Sequence, residues 1–563
     1  MKDARHDDSG VPTMEDARAA LKRHFGYDDF RRRQVDVVAS VISGRDTLGV
    51  LPTGGGKSLC YQVPALVLPG LTVVISPLIS LMKDQVDRLE KLGIAATFLN
   101  STLPATEVSA RMRRATEGIL KLLYVAPERF EAADLRRCLE RCGVSLLAVD
   151  EAHCISEWGH EFRPSFRRIA GVAEALGIPQ RMALTATATP HVRRDILSQL
   201  RLRNPSVIVA GFDRANLSYA VRRCREDDDK EKQLLHTLRS NASPAIVYAS
   251  TRATVERVTR RIGRVGLRTL PYHGGLTVDH RRDVQERFMA GDVDCLVATN
   301  AFGMGIDKPN VRLVVHYAMP GTLEAYYQEA GRAGRDGLPG RCILLHARDD
   351  RATHEYFIAR MFPPRRDVER AYDEMRAQQV DGVVADGGGR WDSAIVQFLQ
   401  SAGAVTRRRP SRGAAHVRLL ATPARIAREL PPSSPDRRLL RILWRRSRGA
   451  LAGGRPVNLT RLGPDVNAQD AKPVLDRLQE RQFLHVDAGQ QCLLLTDARA
   501  PLSEFRIDWT AGARRAASER AKLDAMERYV YTRACRRAFV LSYFGERTSV
   551  SHCQGCDNCQ SPV

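Results

Sequence analysis

Between positions 36 and 200, short apolar runs at 47–51, 71–76, 122–126, 146–150 and 181–185 alternate with segments whose apolar residues recur at helical spacing. Apolar runs without polar alternation are what strands buried on both faces require, and helical crossovers between such strands make a sheet parallel. A second series follows at 245–249, 268–272, 295–299, 313–316 and 342–346, again with helical segments between. The pattern predicts an α/β fold class: two parallel-sheet domains in tandem, 1–210 and 211–360, with a hinge in the mixed, charged segment 204–230.

Past position 349 the alternation stops. A charged helical stretch at 365–379 leads into the glycine-rich segment 381–389. Beyond it come a helical segment at 391–401 and strand-like pieces at 404–408 and 416–421. Helical segments at 437–444 and 471–482, then strands at 484–486 and 492–495, have the helix-helix-hairpin rhythm of a winged helix. The expectation is a basic linker and winged-helix-like region over 361–505 and a last small module over 506–563, with no internal repeat.

Composition sharpens this picture through charge. The 563 residues carry a formal net charge of +22, which suits a large polyanion but does not choose among DNA, RNA and an acidic membrane. From position 361 onward 34 basic residues face 22 acidic ones, so more than half of the excess lies in the last third. Its densest runs, Arg407 to Arg409 with Arg412, and Arg441 to Arg448, read equally as solvated faces and as nucleic-acid contacts. The first residues lack an apolar signal core and no run of eighteen apolar residues occurs, so the expected location is cytoplasmic, at the nucleoid in a bacterium, with no membrane partner. Twelve cysteines in such a compartment argue against a disulfide framework.

The chemistry begins after the first apolar run, where Leu51-Pro-Thr53-Gly54-Gly55-Gly56-Lys57-Ser58 leads into a helical segment expected to start near Lys57. Successive glycines let backbone N–H groups crowd around phosphate oxygens, and the positive end of the helix adds to the attraction. Lys57 then suits the outer phosphates of ATP and Ser58 a Mg²⁺ ion, although Leu51 replaces the first glycine of the strict pattern. Asp150 and Glu151 end an apolar strand, at the edge where parallel sheets receive ligands. Asp150 suits Mg²⁺, directly or through water, and Glu151 the polarisation of an attacking water. In Gln328-Glu-Ala-Gly-Arg332-Ala-Gly-Arg335 the two arginines lie three apart and can project together at a γ-phosphate, making hydrolysis depend on closure of two domains.

Taken together these stretches resemble the RecQ family of superfamily 2 helicases, almost without a gap through the first 350 residues or so. The opening motif of that family is matched by Phe25-Gly-Tyr27-Asp-Asp-Phe30-Arg31-Arg-Arg-Gln34, in which Tyr27, Arg31 and Gln34 correspond to adenine-binding positions. The stretches 76–85, 185–188 and 298–309 resemble DNA-contacting and coupling motifs. The segment Asp150-Glu-Ala-His153-Cys-Ile-Ser-Glu-Trp158-Gly-His160-Glu-Phe162-Arg163 resembles the aromatic-rich loop that senses single-stranded DNA beside the ATP site. The resemblance implies two RecA-like domains, with Trp158, His160, Phe162 and Arg163 coupling DNA to Glu151 and His153. It implies an ATP-dependent DNA helicase that moves 3′ to 5′ on single strands and unwinds tailed or forked duplexes in repair or recombination. Alternatives are an RNA helicase or nucleic-acid remodeller, and a zinc-containing DNA-binding module with an inactive motor.

Near the end, Cys535, Cys553, Cys556 and Cys559 form Cys-x17-Cys-x2-Cys-x2-Cys, a spacing suited to a structural Zn²⁺ ion. The lead-in from Ala534 to Glu546 also resembles the zinc module of RecQ proteins. In that family the module follows the second motor domain closely, whereas here Cys535 lies 200 residues beyond Arg335 and no room is expected for a further helical DNA-binding domain. The other eight cysteines lack ligand spacing and read as ordinary thiols.

Overall fold

The computed structural model describes residues 12–52, 54–157, 159, 163–240, 243–303, 308–379, 382–385, 391–408, 414–446, 451–453, 455–458, 468–487, 492–547 and 552–560. Two compact units emerge: 1–354 together with 518–563, and 355–517.

The first unit holds two parallel sheets. Strands β1 (Thr47–Val50), β2 (Leu71–Ile75), β3 (Ala96–Leu99), β4 (Leu122–Val125), β5 (Val144–Val149), β6 (Arg181–Thr185) and β7 (Ser206–Val209) pair in the order β3-β4-β2-β5-β6-β1-β7. Apart from the edge strand β7, most of their residues are buried because helices cover both faces, which is why these strands read as unbroken apolar runs. Strands β8 (Leu217–Arg223), β9 (Ala245–Tyr248), β10 (Thr269–Tyr272), β11 (Cys295–Ala298), β12 (Leu313–His316) and β13 (Gly340–His346) pair as β10-β11-β9-β12-β13-β8. Each sheet encloses its own core, one around Val74, Leu122, Tyr124 and Leu146, the other around Val247, Val258, Val297 and Val315.

The segment expected as a hinge holds two strands. β7 forms the edge of the first sheet against β1, and β8 the edge of the second against β13, which leaves 210–216 as the connection between the domains. Both are edge strands with partly exposed residues, so their composition is mixed rather than uniformly apolar.

The C-terminal segment returns to this unit. Helices Trp509–Tyr531 and Arg536–Tyr543 lead to the cysteine-rich end, which docks on β8: Tyr219 N donates to Gly555 O (3.1 Å), Val221 N to Asp557 Oδ2 (2.8 Å) and Arg537 Nη2 to Leu217 O (2.8 Å). A sheet edge that would otherwise be open is thereby covered.

The second unit contains two small sheets. Strands β14 (Val383–Ala385), β15 (Val405–Arg408) and β19 (Cys492–Leu495) pair as β14-β19-β15, while β16 (Ala414–Leu419), β17 (Arg455–Asn458) and β18 (Leu484–Asp487) pair as β17-β16-β18. The expected hairpin of 484–486 with 492–495 is therefore not formed. Leu484 is buried with Val417, Leu443 and Leu478, whereas Leu493 and Leu495 are buried with Val396, Leu399 and Val405, so the two strands serve different cores.

Candidate active site

Because β2, β5, β6 and β1 are neighbours in one parallel sheet, the segments leaving their carboxyl ends gather along one edge. These are the segments after Ile75, after Val149, after Thr185 and after Val50. The loop after β1 is held open by Gly54 and Gly56 at φ +78° and +69°, values that favour glycine. Its helix runs Leu59–Val67, two residues later than expected, with Lys57 and Ser58 half-buried ahead of it. Two residues of the opening motif brace the loop from outside: Arg31 Nη1 donates to Gly54 O (2.6 Å), and Gln34 Nε2 to Gly55 O (2.9 Å) and Gly56 O (3.1 Å). Tyr27 remains 56% exposed, leaving a ring face open to a planar base.

At the end of β5, Asp150, Glu151 and His153 are all buried. Glu151 takes φ +47°, a left-handed conformation uncommon for a side-chain-bearing residue and a mark of local strain. His153 Nδ1 lies 2.9 Å from Thr185 Oγ1 and 3.3 Å from Glu151 Oε2, so the acidic motif and the end of β6 share one polar contact. Burial, reinforced by the Glu151 carboxylate, pushes the Asp150 carboxyl up to about 7, with the Lys57 ammonium opposing the shift. A buried carboxylate with a second one beside it and a lysine in range favours a cation, so the donor set fits Mg²⁺ together with phosphate oxygens.

The second domain reaches this edge. The helix Leu323–Ala330 carries Gln328 and ends just before Arg332, which is 4% exposed. The stem of Arg335 lies against the phosphate loop, where a β-carbon on Gly54 would sit 3.4 Å from Arg335 Cγ. Two residues missed from sequence hold that arginine segment. Arg214 donates to Gly331 O (3.1 Å), Ala333 O (3.0 Å) and Gly334 O (2.9 Å), and Asn216 Nδ2 to Gly334 O and Leu338 O, both at 2.8 Å. Their partners are backbone carbonyls, which leave no trace in composition.

Arg163 Nη1 donates to Pro77 O (2.7 Å), joining the aromatic-rich segment to the stretch after β2. In the same stretch, Gln85 Oε1 accepts from Gln62 Nε2 (2.8 Å) on the helix that follows the phosphate loop. Thr53, Trp158, His160 and Phe162 lie outside the described residues.

The sulfurs of Cys535, Cys553, Cys556 and Cys559 all lie within 4.8 Å of one another, the only such cluster of potential ligands among the described residues. Four thiolates with no open position form a structural Zn²⁺ site. Arg536 Nε donates to Asp557 Oδ1 (2.5 Å) and Asn558 Nδ2 to Ala534 O (2.8 Å), fixing the turn that presents the ligands. No helix among the described residues is long and apolar enough to cross a membrane.

Comparison with known proteins adds three family matches: DEAD/DEAH box helicase at 31–196, helicase conserved C-terminal domain at 229–337, and RecQ zinc-binding at 496–560. The chain is 46% identical over 345 residues to the ATP-dependent DNA helicase RecQ of Bacillus subtilis (strain 168), covering 61% of this chain and 58% of that protein. It is 39% identical over 347 residues to the probable ATP-dependent DNA helicase RecS of the same organism, covering 61% of this chain and 70% of that protein. Thus the chain spans little more than half the length of the RecQ proteins it matches. Among solved structures, the DUF1998 helicase MrfA bound to DNA superposes with a TM-score of 0.51 at 19% identity, over 72% of this chain and 59% of that one, a likeness of fold with two RecA-like domains. The shared motor sequence, carried over most of the length of one relative, and the zinc-binding match at the far end lead to one conclusion: the chain belongs to the RecQ helicase family.

Proposed function

We propose that this protein is a DNA-dependent ATPase that translocates 3′ to 5′ on single-stranded DNA and unwinds tailed or forked duplexes, in repair or recombination. The observation that carries the proposal is the seating of Arg335, from the second domain, on Gly54 of the phosphate loop in the first. Hydrolysis at such a junction depends on closure of the two domains, and an arginine supplied in this way is worth on the order of a thousandfold or more in rate.

The residues divide the work by position. Gly54, Gly55 and Gly56 offer backbone N–H groups to phosphate oxygens, Lys57 neutralises the outer phosphates, and Tyr27, Arg31 and Gln34 receive the base. Magnesium, where bound by Asp150 and Ser58, supplies charge neutralisation across the phosphates. Glu151 orients the attacking water, and His153 holds Glu151 against Thr185. Gln328 and Arg332 complete the site from the second domain with Arg335. Bases stacked on Trp158 and Phe162, at about 1 to 3 kcal/mol each, shift the aromatic-rich segment with His160 and Arg163 and align Glu151. The net charge of +22 supports a polyanionic partner, and the proposed location is cytoplasmic, at the nucleoid in a bacterium.

The test combines ATP hydrolysis, with and without single-stranded oligonucleotide, and unwinding of forked, 3′-tailed and 5′-tailed duplexes. Stimulation by DNA, unwinding from the 3′-tailed and forked substrates, and loss of both in Lys57→Ala are expected. Full unwinding by Lys57→Ala, or stimulation by RNA but not DNA, refutes the proposal.

A further inference from the structure

Lysine is rarely buried, because its ammonium gives up strong hydration on leaving water. Lys522, on the helix Trp509–Tyr531, has a side chain only 8% exposed, and its Nζ donates to Gly159 O (2.7 Å) and Glu519 Oε1 (2.6 Å). Gly159 lies 363 residues away, in the middle of the aromatic-rich segment. A structural anchor would serve equally well on any neighbouring carbonyl; this one reaches from that helix into a segment given a sensing role.

The position of Gly159 makes the contact consequential. Its N–H donates to Ser156 O (3.0 Å), and a β-carbon there would collide with His153 O and crowd Ser156 O. The Gly159 backbone therefore packs directly on the peptide of His153, whose ring lies 3.3 Å from Glu151. The Gly159 backbone is thus in contact with the His153 peptide on one side and bonded to the Lys522 ammonium on the other. Around it, Glu324 is buried, accepts from Tyr543 Oη (2.8 Å), and lies within the field of Lys522 and Glu519. The ammonium is thus held by Gly159 O and by Glu519 on its own helix, and the Glu324 carboxyl, on the helix that carries Gln328, lies in its field.

We infer that Lys522 is a positioning residue that holds Gly159 against the His153 peptide, keeping ATP hydrolysis low until DNA draws Gly159 away from the ammonium. The inference rests on the DNA-dependent ATPase reading above. It goes beyond that reading by giving the zinc-bearing C-terminal segment a restraining role on the motor.

The experiment uses the full chain with Lys522→Met, which keeps the apolar stem and removes the donor, and Lys522→Arg, which keeps a donor. Hydrolysis of ATP is measured without and with a single-stranded oligonucleotide, alongside hydrogen exchange of the 154–163 peptide without DNA and zinc content. A hydrogen bond to a charged donor biases a two-state segment enough that its loss should raise basal hydrolysis about tenfold. Stimulation by DNA should fall by a similar factor, exchange in 154–163 should quicken, and Lys522→Arg should restore both. Unchanged exchange in Lys522→Met overturns the inference, as does a parallel fall of basal and stimulated rates at full zinc content. If the unsubstituted protein shows no stimulation by DNA, the reading of the motor fails, and the exchange comparison still decides whether Lys522 holds the segment.

Discussion

Phe544 is the residue through which the zinc-bearing end grips the connection between the two motor domains. Its ring is fully buried, stacked on Phe212 at 4.4 Å and 9°, and 5.0 Å from the ring of Tyr327. Phe212 belongs to the connecting segment 210–216, and its N–H donates to Glu546 Oε2 (2.6 Å), while its carbonyl accepts from Tyr327 Oη (2.9 Å). Arg193, from the first domain, donates to Phe544 O (2.6 Å). One ring therefore joins three parts of the first unit.

Replacing Phe544 by alanine removes a fully buried ring, and changes of that kind cost about 3 to 5 kcal/mol, within which stacked pairs account for roughly 0.5 to 1.5 kcal/mol. Against a typical total stability of about 5 to 15 kcal/mol, the loss is large. At about 2 °C per kcal/mol for a large domain, the first unfolding transition should fall by roughly 6 to 10 °C. The four cysteines are untouched, so zinc should be retained. Because Arg214 and Asn216, which brace the arginine segment, lie within four residues of Phe212, ATP hydrolysis should fall while nucleotide binding to the first domain persists. Differential scanning calorimetry, zinc quantification and steady-state hydrolysis test this together. A transition within about 1 °C of the unsubstituted protein, or zinc lost in step with stability, refutes the reasoning.

Gly54→Ala forces a side chain into a left-handed backbone, at about 1 kcal/mol, and brings its β-carbon into contact with Arg335 Cγ; hydrolysis should drop while the melting temperature barely moves, and an unchanged rate would place Arg335 elsewhere during turnover. Burial raises the Asp150 carboxyl from 3.8 to about 7, so its ionisation opposes folding and the stability present at low pH is lost as pH rises through that value. Asp150→Asn should therefore gain thermal stability over the unsubstituted protein, by an increment larger at about pH 8 than at about pH 5 in metal-free buffer, while hydrolysis is abolished. Cys556→Ser should lose zinc and, because zinc in small modules contributes about 10 to 16 kcal/mol, unfold the end of the chain that covers β8; retention of zinc would show that three ligands suffice.

Much of the motor is legible in the sequence because parallel strands with both faces covered leave unbroken apolar runs, as at Val73, Val74 and Ile75 or Leu146 to Val149. Edge strands leave weaker marks. β8 reads Leu-Ser-Tyr-Ala-Val-Arg-Arg, half exposed by pattern, and its second cover lies more than 330 residues later at Gly555 and Asp557. The pairing of β18 and β19 escapes for a related reason: periodicity reports that a strand exists, and the core its apolar residues enter decides its partner. Arg214 and Lys522 are illegible for another reason. Each acts on peptide carbonyls, and a basic residue with such partners looks in sequence like any other among 87 lysines and arginines.

The displaced zinc module follows from the same geometry. Arg351, three residues before the chain leaves the first unit, forms ion pairs with Asp524 (2.7 Å) and Glu527 (2.6 Å) soon after it returns, and His346 Nε2 lies 3.1 Å from Tyr531 Oη. Exit and re-entry are thus adjacent on two packed helices. Closing a connection between points already held together costs entropy only logarithmically in its length, about 0.6 kcal/mol for each doubling, so a separately folded unit fits there with little penalty to its host. What fixes the cysteine cluster is its pairing with β8 and the grip of Phe544 on the connecting segment, and neither depends on how many residues intervene. A module 200 residues out of the order usual in this family therefore packs directly against the second motor domain.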